Sequence, residues 1–169
     1  IKQLLAQLGK TPFIQNEKPN PFDEAISLIW YLENVFYNTS GEMIHYLEKN
    51  VSDGTTIQNP LIKLGFWPGG DRDGNPFVTT EITIKVAERL RTSILKCYYF
   101  EIRNLKRKLT FSGVDVLISE LEQKLYRSVF YSKGEIFITL EEFKEQIHKI
   151  KTIIIEQHQS LYLDDLEAL

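Results

Sequence analysis

The sequence is poor in the residues that build disulfides and membrane spans. It contains one cysteine, Cys97, so no internal disulfide can form, and this is typical of a reducing compartment. No apolar run reaches the roughly 18 residues needed to cross a bilayer, and no signal-peptide pattern opens the chain. The net charge of -3 provides no general attraction to nucleic acid or to an anionic membrane.

Residues with the spacing of a metal site or of a common catalytic motif are also missing. The three histidines, His45, His148 and His158, are scattered, and a single cysteine cannot complete a zinc site. We interpret each histidine as a surface or partly buried polar residue. The sequence has no nucleophile elbow, no phosphate-binding P-loop and no dinucleotide fingerprint. The sequence therefore contains none of these motifs of hydrolases and nucleotide-binding enzymes.

The distribution of apolar residues predicts a mainly helical chain of 169 residues with one hydrophobic core. Apolar positions at helical spacing predict one helix from Phe22 through about Tyr37 and another from Ser40. A long stripe from Ile82 to Leu109 predicts a third helix, which Gly113 separates from the next. Thr139 and Glu142 form the capping box of a later helix. The short apolar run 61–67, bounded by prolines, is predicted to be the one strand.

Residues 65–76, here called the 65–76 loop, are denser in conformationally special residues than any other stretch. Gly69, Gly70 and Gly74 permit backbone conformations that other residues avoid. Asn75 precedes a proline and ends the turn. Thr79 then has the features of a helix N-cap, with Glu81 in the first turn, where its charge suits the helix dipole. We expect a rigid loop at the entrance of the long helix.

Arg72 lies at the centre of this loop, between Asp71 and Asp73. Either carboxylate could orient the guanidinium and leave its other donors for an external anion. In the other interpretation, the arginine only bridges the two aspartates. The spacing of Asp71, Asp73 and Asn75 also resembles the start of a calcium loop. An EF-hand requires glycine and glutamate where this chain has Pro76 and Ile82, which argues against calcium.

Basic residues along the long helix, interleaved with aromatics, permit a nucleic-acid interpretation. A solvated helix face is favoured, because the apolar stripe uses most of the aromatics and neighbouring acids balance the charge.

The 65–76 loop resembles a motif of the phosphoenolpyruvate carboxylase family. That family has Gly-Gly-Asp-Arg-Asp-Gly-Asn-Pro, which stands here at 69–76, followed by a Val-Thr-x-Glu helix start, here 78–81. The stretch 18–25 is similar to the family's Pro-x-Pro-x-Asp-Glu-Ala helix opening, with Glu33 and Asn34 in the following helix and Tyr126-Arg127-Ser128 in a later one. Pro68 departs from the pattern, because the family more often has methionine there.

This resemblance implies a carboxylase that joins bicarbonate to phosphoenolpyruvate and releases oxaloacetate and phosphate. It implies a helix-elaborated (β/α) barrel, a homotetramer, a cytoplasmic location, and magnesium or manganese as the metal cofactor. Among the residues present, it implies that Arg72 binds the substrate phosphate. Gly69, Gly70, Asp71, Asp73, Gly74 and Asn75 would support the loop.

Other elements of the family are not found in the sequence. The Thr-Ala-His-Pro-Thr motif with the catalytic histidine is missing, as are the paired acidic metal ligands and a later glycine-arginine loop. We therefore interpret residues 1–169 as one partial segment excised from a longer enzyme. It would contain no catalytic or metal-binding residue and would be inactive alone. The alternative is a free-standing helical interaction module without catalysis.

Overall fold

In this computed structural model the described residues are 1–11, 20–51, 62–131, 138–159, 162, 163 and 166. They are mainly helical, as the sequence predicts. The helices are α1 (Lys2–Lys10), α2 (Pro21–Tyr31), α3 (Tyr37–Asn50), α4 (Thr80–Lys108), α5 (Val114–Phe130) and α6 (Leu140–Glu156). None of the described helices is long and apolar enough to cross a membrane.

One uninterrupted helical rod runs through α2 and α3, which a π-helical segment, Leu32–Phe36, joins. The rod begins at Asn20, whose side-chain oxygen accepts hydrogen bonds from the backbone N–H groups of Phe22 and Asp23. The prediction of a separate helix from Ser40 is wrong. Gly41 lies inside α3, because a single glycine costs a helix only about 1 kcal/mol relative to alanine and does not stop it.

The long helix α4 is the axis of the structure. It starts where the sequence predicts, since the Thr79 side chain accepts a hydrogen bond from the Ile82 backbone N–H at 3.3 Å. α2 and the π-helical segment pack on its first half, and α5 packs antiparallel on its second half. The chain reverses between α4 and α5 at Gly113, whose φ of +89° favours glycine.

The main core lies between the second half of α4, α5 and α6. Ile102, Ile118, Leu125, Ile150 and Ile154 are all completely buried there. The predicted capping box of α6 is confirmed: Thr139 and Glu142 exchange side-chain and backbone hydrogen bonds at 3.0 and 3.2 Å. This cap fixes the entry of α6 into the core.

The predicted strand is absent from the part of 61–67 that the structure describes, residues 62–67. These residues form an irregular segment that leads into turns, and Leu61 lies outside the described residues. A strand needs a neighbouring strand to pair its backbone N–H and C=O groups, and the described chain offers none. Lys63, Leu64, Gly65 and Trp67 are exposed, so the segment also lacks the burial that its apolar composition suggested.

Candidate functional site

Consecutive turns stabilised by short-range hydrogen bonds shape the 65–76 loop. The backbone N–H of Gly70 donates to the Trp67 carbonyl at 3.1 Å, and that of Asn75 donates to the Arg72 carbonyl at 3.3 Å. The Asn75 side chain accepts from the Phe77 backbone N–H at 3.1 Å. Gly74 has a φ of +68°, which only glycine adopts at little cost. The loop therefore holds its shape largely through its own hydrogen bonds.

Gly69 fixes the loop against α4. Its φ is +75°, and a Cβ built on it would lie only 2.6 Å from Cγ2 of Val86. Gly69 and Val86 are both buried, as is the adjacent Pro68. No other residue type allows this approach of backbone to side chain, so the glycine sets the distance between the loop and the helix.

Arg72 is exposed at the N-terminal end of α4. Its Nη2 donates a hydrogen bond to Thr80 Oγ1 at 3.1 Å, and Thr80 is the first residue of the helix. A guanidinium has five N–H donors, so this bond leaves most of them available. The guanidinium adds its charge to the positive end of the helix dipole, and both favour an anion at this place.

The two aspartates beside Arg72 do not orient it. No ion pair joins Arg72 to Asp71 or Asp73 among the described residues, and Asp71 Oδ1 instead accepts from the Asp73 backbone N–H at 3.0 Å. One further acid, Glu81, lies close by in the sequence. The Lys85 ammonium, 2.7 Å from the Glu81 carboxylate, lowers the pKa of that carboxyl by hydrogen bonding.

The structure thus brings Gly69, Arg72 and Asp71 into one loop as predicted from their adjacency, and it adds two residues that sequence reasoning missed. Thr80 holds the guanidinium, and Val86 receives Gly69. The position of Thr80 directly after the predicted N-cap indicates only weakly that its side chain lies near the loop. Nothing in the sequence indicates the role of Val86, because that role depends on how the loop folds back onto α4.

A second polar centre joins the π-helical segment to α4. The Glu33 carboxylate forms an ion pair with Lys96 and accepts a hydrogen bond from Ser93 Oγ at 3.0 Å. The Cys97 thiol lies 3.8 Å from the Glu33 carbonyl oxygen. Burial, the larger cause, and the nearby Glu33 carboxylate together raise the pKa of the Cys97 thiol from 9.0 to about 11. The centre links the π-helical segment to α4.

No group of three or more His, Cys, Asp or Glu residues in the described ranges could hold a metal ion. His45, His148 and His158 lie on different parts of the helical framework, on α3, α6 and just beyond α6. The expectation that the metal ligands lie outside these residues stays a prediction.

Comparison with known proteins assigns the chain to a family of carboxylating enzymes. The family model described as phosphoenolpyruvate carboxylase matches residues 1–159. The chain belongs to the phosphoenolpyruvate carboxylase family.

Curated relatives agree with this assignment. A phosphoenolpyruvate carboxylase of Shewanella halifaxensis (strain HAW-EB4) is 29% identical over 155 residues, which cover 80% of this chain and 18% of that protein. One from Aeromonas salmonicida (strain A449) is 34% identical over 124 residues, 71% of this chain and 14% of that protein. The chain spans about a sixth of the length of these relatives. No solved structure matches the chain significantly.

Proposed function

We propose that these residues form one segment of a phosphoenolpyruvate carboxylase, in which the 65–76 loop presents Arg72 to the substrate phosphate. The observation that carries the proposal is the exposed guanidinium, held by Thr80 at the N-terminal end of α4. Family membership supports the choice of substrate.

The chemistry of the reaction suits such a residue. Transfer of the phosphoryl group from phosphoenolpyruvate to bicarbonate spreads negative charge over the phosphate oxygens. Donors that are already fixed in place stabilise this charge without reorganising during the reaction. Gly69 packed on Val86 and the bond from Arg72 to Thr80 supply that rigidity. A planar guanidinium can also bind two phosphate oxygens at once.

Replacing Arg72 with lysine in the full-length enzyme tests the proposal. Lysine keeps the charge but loses the planar fork, so Arg72→Lys is expected to remove roughly 1.5–3 kcal/mol of binding, or about one to two decades of kcat/KM. Part of the loss should be a higher KM for phosphoenolpyruvate, because the phosphate binds before it reacts. The dependence on metal and bicarbonate should change less. Steady-state kinetics with each substrate varied measures these effects.

Thr80→Val is the companion variant, since it removes the hydrogen bond that positions the guanidinium but leaves the arginine in place. It should lower kcat/KM in the same direction and by a smaller factor. If Arg72 only stabilised the loop and did not bind phosphate, Arg72→Lys would lower the melting temperature and leave kcat/KM unchanged. That result would overturn the proposal.

The remaining properties of the enzyme follow from family membership as parts of the same proposal. They are carboxylation with bicarbonate, a magnesium or manganese ion bound by residues outside this segment, a homotetramer, a cytoplasmic location and a barrel that includes these helices.

The competing proposal is a free-standing helical module. A reading frame several hundred residues long that encodes the histidine motif upstream of Ile1 supports the enzyme, whereas an in-frame stop codon at Leu169 supports the module.

A further inference from the structure

A cavity of about 430 Å³ lies between α4 and the start of α6. Its described lining is almost entirely apolar, with Leu95, Tyr98, Ile138 and Phe143 among the walls. The Tyr98 and Phe143 rings stack at a centroid distance of 4.9 Å and form a rigid side of the cavity. The described lining contains one charged residue, Arg91, and no acid.

Arg91 has no partner for its charge in the part of the chain that the structure describes. Its Nη2 is buried and makes no hydrogen bond, and no ion pair joins Arg91 to another residue that the structure describes. Arg91 as a whole is half-buried, and placing a guanidinium nitrogen in apolar surroundings without a hydrogen-bond partner costs free energy. The arrangement leaves a position beside Arg91 at which an anionic group could form an ion pair.

We infer that a carboxylate side chain from the part of the carboxylase polypeptide outside residues 1–169 enters this cavity and pairs with Arg91. The inference rests on the proposed function, because it needs the longer enzyme. The positive charge of Arg91 favours an acidic residue as the partner. The apolar walls of the cavity favour a segment with apolar residues next to that acid.

Two observations favour the same polypeptide as the source of this acid. The relatives contain several times more chain than these residues, which cover 14–18% of them. The rim of the cavity is also apolar and uncovered, since Leu140 is 54% exposed and Ile94 is 38% exposed. Exposed apolar side chains beside a buried guanidinium nitrogen without a hydrogen bond are typical of a surface that another segment covers.

The first test compares Arg91→Met in the 169-residue chain and in the full-length enzyme. In the short chain the substitution removes a half-buried arginine whose Nη2 is buried without a hydrogen bond, so the melting temperature should rise by about 2–4 °C. In the full-length enzyme it leaves a buried carboxylate unpaired, so the melting temperature should fall. Arg103→Met is the matched control, because Arg103 is an exposed arginine on the same helix. It should change neither protein.

A decrease in both proteins, or no change in the full-length enzyme, would overturn the inference. The readout is stability, so it is independent of the Arg72 kinetics. A failed Arg72 test would leave these expected shifts unaltered, and a failed Arg91 test would not affect substrate binding by Arg72.

A second test identifies the partner. A carbodiimide joins an amine to a carboxylate in direct contact, so the full-length Arg91→Lys variant is treated with it and its peptides are analysed by mass spectrometry. We expect a link from position 91 to an Asp or Glu outside residues 1–169 of the same subunit. A link to any Asp or Glu within residues 1–169, including Glu135, or one between isotopically distinct subunits would overturn the inference, as would no link.

Discussion

Three glycines of the 65–76 loop differ in what an added methyl group would meet. At Gly65 there is nothing within 4 Å and φ is ordinary, and at Gly74 there is also open space but φ is +68°. At Gly69 a positive φ of +75° coincides with the 2.6 Å approach to Val86 Cγ2. Alanine substitutions at these three positions therefore separate two contributions to the loss of stability. One is the backbone strain of alanine at a positive φ, and the other is the steric overlap of its Cβ with Val86.

We predict a graded series for alanine substitutions at these glycines. Gly65→Ala should be nearly neutral, and Gly74→Ala should cost about 1–2 kcal/mol through its left-handed backbone conformation alone. Gly69→Ala should cost about 1–3 kcal/mol more than Gly74→Ala, because overpacking adds to the same backbone term. Urea unfolding of the 169-residue chain measures all three.

Val86→Ala combined with Gly69→Ala controls for the overlap. Because Val86 is itself buried, the comparison is made with Val86→Ala alone: in that background Gly69→Ala should cost less than it does in the unsubstituted chain. Equal effects of Gly69→Ala and Gly74→Ala would show that the loop does not pack closely on α4.

At the scale of elements, the ion pair between Glu33 and Lys96 is the polar link that joins the π-helical segment to α4. The Glu33 side chain is only 13% exposed and that of Lys96 is 34% exposed. The pair between Glu81 and Lys85 is a solvent-exposed contrast on the same helix, with side chains 75% and 52% exposed. Screening by water makes exposed pairs weak, whereas breaking a buried pair leaves a charge without compensation.

Lys96→Met should therefore destabilise the chain by about 1–3 kcal/mol, between the values for surface and buried pairs. Lys85→Met should cost about 0.5 kcal/mol or less. Methionine and lysine have similar helix propensities, so the difference reports the ion pairs. Urea midpoints at an unchanged m-value give both numbers, and indistinguishable midpoints would contradict a stabilising link at Glu33.

At the scale of the whole molecule, α4 carries two separate packing regions. α2 and the π-helical segment cover its first half, and α5 with α6 encloses the main core on its second half. Every residue of α1 is exposed, so this helix contributes nothing to either region. The arrangement holds the 65–76 loop at one end of α4, about 40 Å from the other end by the rise of a 29-residue helix.

The isolated chain is predicted to lack carboxylase activity. The histidine motif and acidic metal-ligand segments of the family are missing from residues 1–169, and catalytic groups that act as a unit fail together. Purified chain supplied with phosphoenolpyruvate, bicarbonate and magnesium should form oxaloacetate at the background rate in a coupled assay. The full-length enzyme is the positive control. A rate that depends on phosphoenolpyruvate and exceeds background would disprove the prediction.

Sequence alone determined the features that depend on neighbours within one helical turn. Thr79 caps α4, Thr139 and Glu142 cap α6, and Gly113 separates α4 from α5. Each relies on a hydrogen bond or a backbone preference that spans at most about four residues. The octapeptide of the 65–76 loop was recognisable for the same reason, because its residues are contiguous.

Tertiary structure decided the features that depend on residues far apart in the chain. Residues 62–67 form no strand because none of the described residues offers a strand to pair with, and Ser40 starts no helix because the rod continues through it. Arg72 bonds to Thr80 rather than to the aspartates that flank it. Adjacency in sequence indicates which groups are available, whereas the path of the chain in space determines which of them meet.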